Sequence, residues 1–233
     1  MYEDNDSYVT QRAASALSTC LANVYWWMTF ALLISGVAAW AVGTSPELSR
    51  KLVTSPGLCI VLFLVEIGLV IWISAGINKM SAGLASGLFL LYAAINGVTL
   101  APIFLAYTQG SIATTFFACA GTFLVTSIFG YVTRMDLSGL GGLCMLGLFG
   151  IIIASLINFF TQSEGLAMIV TYIGVFVFIG LTAWDTQKLR QLGGITGPDS
   201  VTLSKYVILG ALTLYLDFIN LFLMLLRLFG DRK

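Results

Sequence analysis

The sequence has no histidine, and only 9% of its 233 residues are charged, 11 basic and 11 acidic. Without histidine neither a Ser-His-Asp nor a Cys-His catalytic arrangement can be assembled, and no imidazole metal site can exist. A water-soluble globule carries about a quarter charged residues. So little charge, in a chain that is 58% hydrophobic with a mean hydropathy of +0.96, excludes that class and makes lipid the solvent. Zero net charge without a basic tract argues against nucleic acid as a partner. The four cysteines, Cys20, Cys59, Cys119 and Cys144, form no CxxC and fall in or beside apolar stretches, where a thiol packs as a small hydrophobe. The N-terminal MYEDNDSY is acidic where a signal peptide is basic, so the first apolar segment is expected to remain as a span.

Scarce charge makes the spans easy to count. Residues 13–46, 80–133, 137–163 and 165–184 carry none. A span needs roughly 20 residues to cross a hydrocarbon core about 30 Å thick. The run 80–133 is too long for one helix, and Tyr107-Thr-Gln-Gly-Ser111 is the turn that divides it. Two further spans each enclose one acid, Glu66 in 57–77 and Asp217 in 205–228. The expected architecture is therefore all-α and polytopic, with seven transmembrane helices near 22–43, 57–77, 83–106, 111–132, 138–160, 165–185 and 205–228. A polar tail over 1–21, one transmembrane domain over 22–228 and a short tail over 229–233 complete it. The 186–204 connection, with Gly193-Gly194, Gly197 and Pro198, is the other polar piece. Gly83 and Gly87 have the GxxxG spacing of close helix contact in lipid. Arg12, Lys79, Arg134, Lys188, Arg190 and Lys205 fall on the N-terminal side, and Arg50, Lys51, Arg232 and Lys233 on the other, which leans toward a cytoplasmic N-terminus.

The last helix carries a polar stripe. Tyr206, Gly210, Thr213, Asp217, Asn220, Met224 and Arg227 follow one another at alternating steps of four and three, one face of an α-helix. Other faces of that helix should meet lipid or apolar neighbours. An aspartate at mid-span costs about 2.5–3.5 kcal/mol on insertion scales, so Asp217 needs a partner, a proton or water. Arg227 lies about 15 Å further along the axis, too far for a pair within the helix. Asp185, closing the sixth apolar run on a face with Thr171, Phe178 and Thr182, is the candidate partner, because consecutive antiparallel helices usually touch. The competing readings are an interfacial Asp185 paired with Lys188, and a neutral Asp217 bonded to Asn220 or Tyr215. If the acids meet, they share a proton, and its loss turns a hydrogen bond into repulsion, a pH-dependent latch. Glu66 is a third intramembrane acid, suited either to cation passage or to packing in protonated form. Tyr92, Asn96 and Thr99 form a polar face on the third helix, Ser155 and Asn158 another on the fifth, both suited to helix-bridging hydrogen bonds.

LYLDFINLFLMLLRLFG over 214–230, GLTAWDTQKL around Asp185, GVTLAPIF from Gly97 and ATTFF from Ala113 resemble the transmembrane Bax inhibitor motif family, particularly its bacterial branch, over nearly the whole chain. The resemblance implies a seven-helix fold with the C-terminal helix central, inner-membrane residence, and a pH-sensitive calcium leak gated by an aspartyl pair at Asp185 and Asp217. It also implies an acid at Glu66 and a basic latch residue, for which Lys79 is the nearest position. Lysine lacks the bidentate fork of arginine. Thr213, Asn220 and Arg227 are candidate supporting or pore-lining residues. No cofactor and no catalytic residue is expected. Ca2+ is the expected permeant ion, with Asp185 and Asp217 as oxygen ligands. The alternative is a non-conducting regulator that binds a membrane quality-control protease or another membrane complex. An intramembrane aspartyl protease is disfavoured, since the acids sit in AWDTQ and YLDFI with no GxGD at Asp217.

Overall fold

The computed structural model describes residues 2–195 and 200–233, with side chains over 18–191 and 202–233. Nine helices run among the described residues: α1 (Tyr2–Gly43), α2 (Pro46–Thr54), α3 (Pro56–Gly76), α4 (Ala82–Leu100), α5 (Ile103–Ala106), α6 (Gln109–Val132), α7 (Ser138–Thr161), α8 (Glu164–Ile195) and α9 (Ser200–Phe229). Seven segments are long and apolar enough to cross a membrane, from Ser18–Gly43 to Thr202–Phe229. The count expected from charge-free runs therefore holds. The ends differ: α1 begins at Tyr2, twenty residues before the expected start, and α8 runs ten residues beyond Asp185. Hydropathy marks where a helix leaves lipid, whereas backbone hydrogen bonding continues into the polar flank. Gly197 and Pro198 lie outside the described residues.

Helix starts follow local chemistry. Pro46 and Pro56 open α2 and α3, where a missing N–H costs nothing. Ser81 and Thr108 cap α4 and α6 by accepting from the Leu84 and Ser111 amides at 3.2 and 3.3 Å. At the other end of α7, Gln162 takes a left-handed φ of 50° and its N–H donates to the Asn158 carbonyl at 2.8 Å.

The chain forms two compact units, Met1–Leu105 with Leu189–Tyr215, and Ala106–Lys188 with Leu216–Lys233. In the first, α4 packs against both α1 and α3. Gly97 permits the α1–α4 approach, since a Cβ there would overlap the Ser35 carbonyl oxygen and lie 2.7 Å from Ala38 Cβ. In the second, Gly130 of α6 lies against the Ala183 backbone of α8, and Gly141 of α7 against the Trp184 ring. The C-terminus is pinned there too. Thr108 and Lys233 amides donate to the Asp231 and Ala106 carbonyls at 3.1 and 3.0 Å, and the Asp231 amide donates to Ser111 Oγ at 2.8 Å.

The GxxxG expectation is corrected. A Cβ added at Gly83 or Gly87 would meet nothing within 4 Å, so that spacing marks no helix crossing. The contact falls to glycines whose sequence spacing gives no signal. Phe117, Phe160 and Phe176 lie outward, as a lipid-facing surface requires. α9 is instead the most buried of the seven segments, 67% of its most apolar stretch against 17% for α3 and α7. Leu212, Leu214, Tyr215, Leu221 and Leu226, off the polar stripe, are buried, so its apolar faces meet protein rather than lipid.

Candidate functional site

Asp185 and Asp217 both belong to the second unit and both are buried. They lie near enough for each carboxyl to act on the other. Asn220 Nδ2 donates to the Leu216 carbonyl at 2.8 Å, and the Tyr215 hydroxyl donates to Asn96 Oδ1 at 2.9 Å. Asp217 Oδ2 is buried without a partner. Thr171, Phe178 and Thr182 share the buried face of α8 with Asp185, as their spacing suggested. Lys188, one turn on, acts electrostatically on Asp185 while its ammonium sits 5.0 Å above the Trp184 ring. The Cys144 thiol of α7 is close enough to feel the Asp217 charge.

Two residues beyond Asp185, Gln187 holds the connection between α6 and α7 from both sides. Its Oε1 accepts from the Leu137 amide at 2.9 Å and its Nε2 donates to the Met135 carbonyl at 2.8 Å. A primary amide is the one short side chain that can copy a strand's paired donor and acceptor in this way. Between those two anchors, the Ser138 hydroxyl and amide hold the exposed Asp136 carboxyl below the usual carboxylate range. That stabilisation is present at neutral pH and is lost as pH falls through the depressed value. Gln187→Ala strands a buried amide and is expected to cost about 1–3 kcal/mol. A lowered thermal midpoint of the reconstituted protein checks this, and Gln187→Glu, which sets a buried carboxylate oxygen against the Met135 carbonyl, should not restore it.

Glu66 is buried in the first unit among polar partners on neighbouring helices. Its Oε1 accepts from Thr99 Oγ1 at 2.7 Å and its Oε2 from Asn96 Nδ2 at 3.3 Å, so the polar face of α4 does bridge helices. Asn96 Oδ1 accepts from the Tyr215 hydroxyl at 2.9 Å, and that hydroxyl lies 2.7 Å from Ser35 Oγ, which also reaches the Ala93 carbonyl at 2.7 Å. Tyr92 and Phe89 meet the Tyr215 ring edge-on, both at 5.7 Å between centroids. The polar face expected on the fifth span does not bridge: Ser155 is exposed, and Asn158 Oδ1 accepts the Ser163 amide at 3.0 Å in the following turn.

Residues 17–233 match the family model described as Inhibitor of apoptosis-promoting Bax1. The chain belongs to the Bax1 inhibitor family. It is 51% identical over 230 residues to the inner membrane protein YbhL of Escherichia coli, covering 98% of this chain and 97% of that one. An uncharacterized protein of Borreliella burgdorferi is 44% identical over 213 residues, covering 91% and 92%. Lactococcus lactis YrjE is 34% identical over 228 residues, covering 97% and 96%. Seven spans and the likeness to YbhL make this Bax1 inhibitor family member an integral inner-membrane protein.

The other predicted positions fall elsewhere in this family member. Lys79 is exposed beyond α3, beside a hollow of about 450 Å3 lined with Trp72, Met80 and Leu84, and it is not among the groups acting on Glu66. Thr213 Oγ1 donates to its own helix at the Leu209 carbonyl, 3.0 Å away, and Arg227 is exposed. Sequence reasoning missed Gln187 and Ser35. The first stands in the DTQ of a motif already singled out, but a lone glutamine after an acid gives no signal of a bidentate clamp. Ser35 lies in an apolar run where serine reads as filler.

Proposed function

We propose that this protein is a pH-sensitive, calcium-permeable leak whose gate is the proton shared by Asp185 and Asp217. The reading rests on one observation, two buried carboxyl groups close enough to act on each other. A hydrogen bond between them needs a proton on one of the two. A hydrogen bond to a charged group contributes about 1.5–3 kcal/mol. That offsets one mid-span aspartate at about 2.5–3.5 kcal/mol, but not two that also repel. Removing the proton therefore drives α8 and α9 apart locally, and adding it back draws them together. Two carboxylates also offer the hard oxygen ligands that Ca2+ prefers, but a resident ion needs six to eight oxygens. Among the described residues no three His, Cys, Asp or Glu side chains gather to hold a metal. Calcium is thus read as cargo that passes the acids rather than as a fixed cofactor.

Calcium flux into liposomes containing the purified chain, followed as pH is varied, tests the proposal. The native protein should conduct with a pH-dependent rate, and Asp217→Asn should flatten that profile. An unchanged profile overturns the gate. No flux at any pH overturns the leak and favours the non-conducting regulator that binds a membrane protease or other membrane complex.

A further inference from the structure

Thr99 presents one hydroxyl proton to two acceptors. Its Oγ1 lies 2.7 Å from Glu66 Oε1 and 2.9 Å from the Asn96 carbonyl, one turn back on its own helix. A hydroxyl has one proton to donate and lone pairs that accept, so the two bonds cannot both be donated at once. With Glu66 ionised, Thr99 donates to Oε1. With a proton on Oε1, Glu66 donates to Thr99 Oγ1, and the threonine proton turns to the Asn96 carbonyl. Neither state leaves a buried donor or acceptor unpaired.

The partner on the other carboxylate oxygen cannot switch. Asn96 must present Nδ2 to Glu66 Oε2, because its Oδ1 is engaged by the Tyr215 hydroxyl. Rotating the amide would lose the Tyr215 bond and set an oxygen against the carboxylate. The network thus directs an incoming proton to Oε1. Two further titratable groups feel the Glu66 charge, Tyr92 of α4 and Tyr215 of α9. α3 itself carries no other charged side chain, only Cys59 seven residues back. Among the described residues no cation is among the groups that act on this carboxyl.

We propose that Glu66 is a proton-binding site in its own right, which takes a proton from water and returns it while the Thr99 hydroxyl reorients between the Glu66 carboxylate and the Asn96 carbonyl. The exchange balances simply. A hydronium ion gives its proton to Oε1, forming an O–H bond and releasing water, and the site passes from one negative charge to none. Release is the reverse. This proton is distinct from the one assigned to the aspartates, and its site stands whether or not those acids gate a pore.

Infrared difference spectra of the full chain in lipid bilayers, recorded between acid and alkaline pH, read the carbonyl stretch of a protonated carboxyl directly. A component should vanish in Glu66→Gln and persist in Asp185→Asn/Asp217→Asn. Thr99→Val keeps the shape and removes the hydroxyl, and it should displace the midpoint of that component by about one pH unit or more. Thr99→Ser, which retains the hydroxyl, should leave it in place. The proposal is overturned if Glu66→Gln removes no component over the range in which the protein stays folded. It is equally overturned if Thr99→Val leaves the midpoint unmoved, because Glu66 would then titrate without the switch. Loss of flux gating in the aspartate variants with the Glu66 component intact would bear on the aspartates alone.

Discussion

Gly130→Val is expected to lower the stability of the reconstituted protein by about 3 kcal/mol or more, the upper end of overpacking costs. A Cβ at 130 would overlap the Ala183 carbonyl oxygen and lie 3.0 Å from Ala183 Cα. The obstacle is backbone, so no side-chain rotation relieves it, and α6 or α8 must move. Asp185 is two residues beyond Ala183, so the displacement should also disturb the carboxyl pair. A thermal scan in lipid reads the first effect and the pH profile of calcium flux the second. Gly121→Ala on the same helix is the control, since nothing lies within 4 Å of its side-chain position. It should gain up to about 1 kcal/mol of helix propensity. Equal behaviour of the two variants would refute the assigned crossing point.

The second large effect concerns the aspartates as a unit. Asparagine at either position can donate its amide N–H to the remaining carboxylate at any pH, so the bond no longer waits for a proton. Each single variant, Asp185→Asn or Asp217→Asn, should therefore abolish most of the pH response. The double variant should do no more than either alone, since groups that act through one shared proton are strongly non-additive. Separate shifts in each single variant that sum in the double would mean two independent titrations, and the latch would have to be abandoned. Flux across a pH series, measured for all four proteins, decides it.

Spans and site were unequally legible in the amino-acid sequence. Each span announced itself, because hydropathy sums over about twenty neighbouring residues and needs no knowledge of other helices. The polar face of α4 was also legible, with Asn96 and Thr99 bonding Glu66 across to α3. The same reasoning misled at Gly83 and Gly87, which face open space, and at Ser155, which is exposed. Periodicity says which residues share a face. It does not say which helix, if any, that face meets.

The amino-acid sequence by itself determined a lipid-embedded, seven-span chain with three acids in its apolar segments and no histidine chemistry. Transfer of each side chain from water to hydrocarbon is a local free energy, and the chain order alone adds it up. Only the tertiary structure decided the pairings: Glu66 with Thr99 and Asn96, Gln187 with the 133–137 connection, and Gly130 with Ala183. Those depend on how each helix is rotated about its axis and which neighbour it meets. Apolar surfaces of nearly uniform composition leave that choice to the close fit of particular side chains.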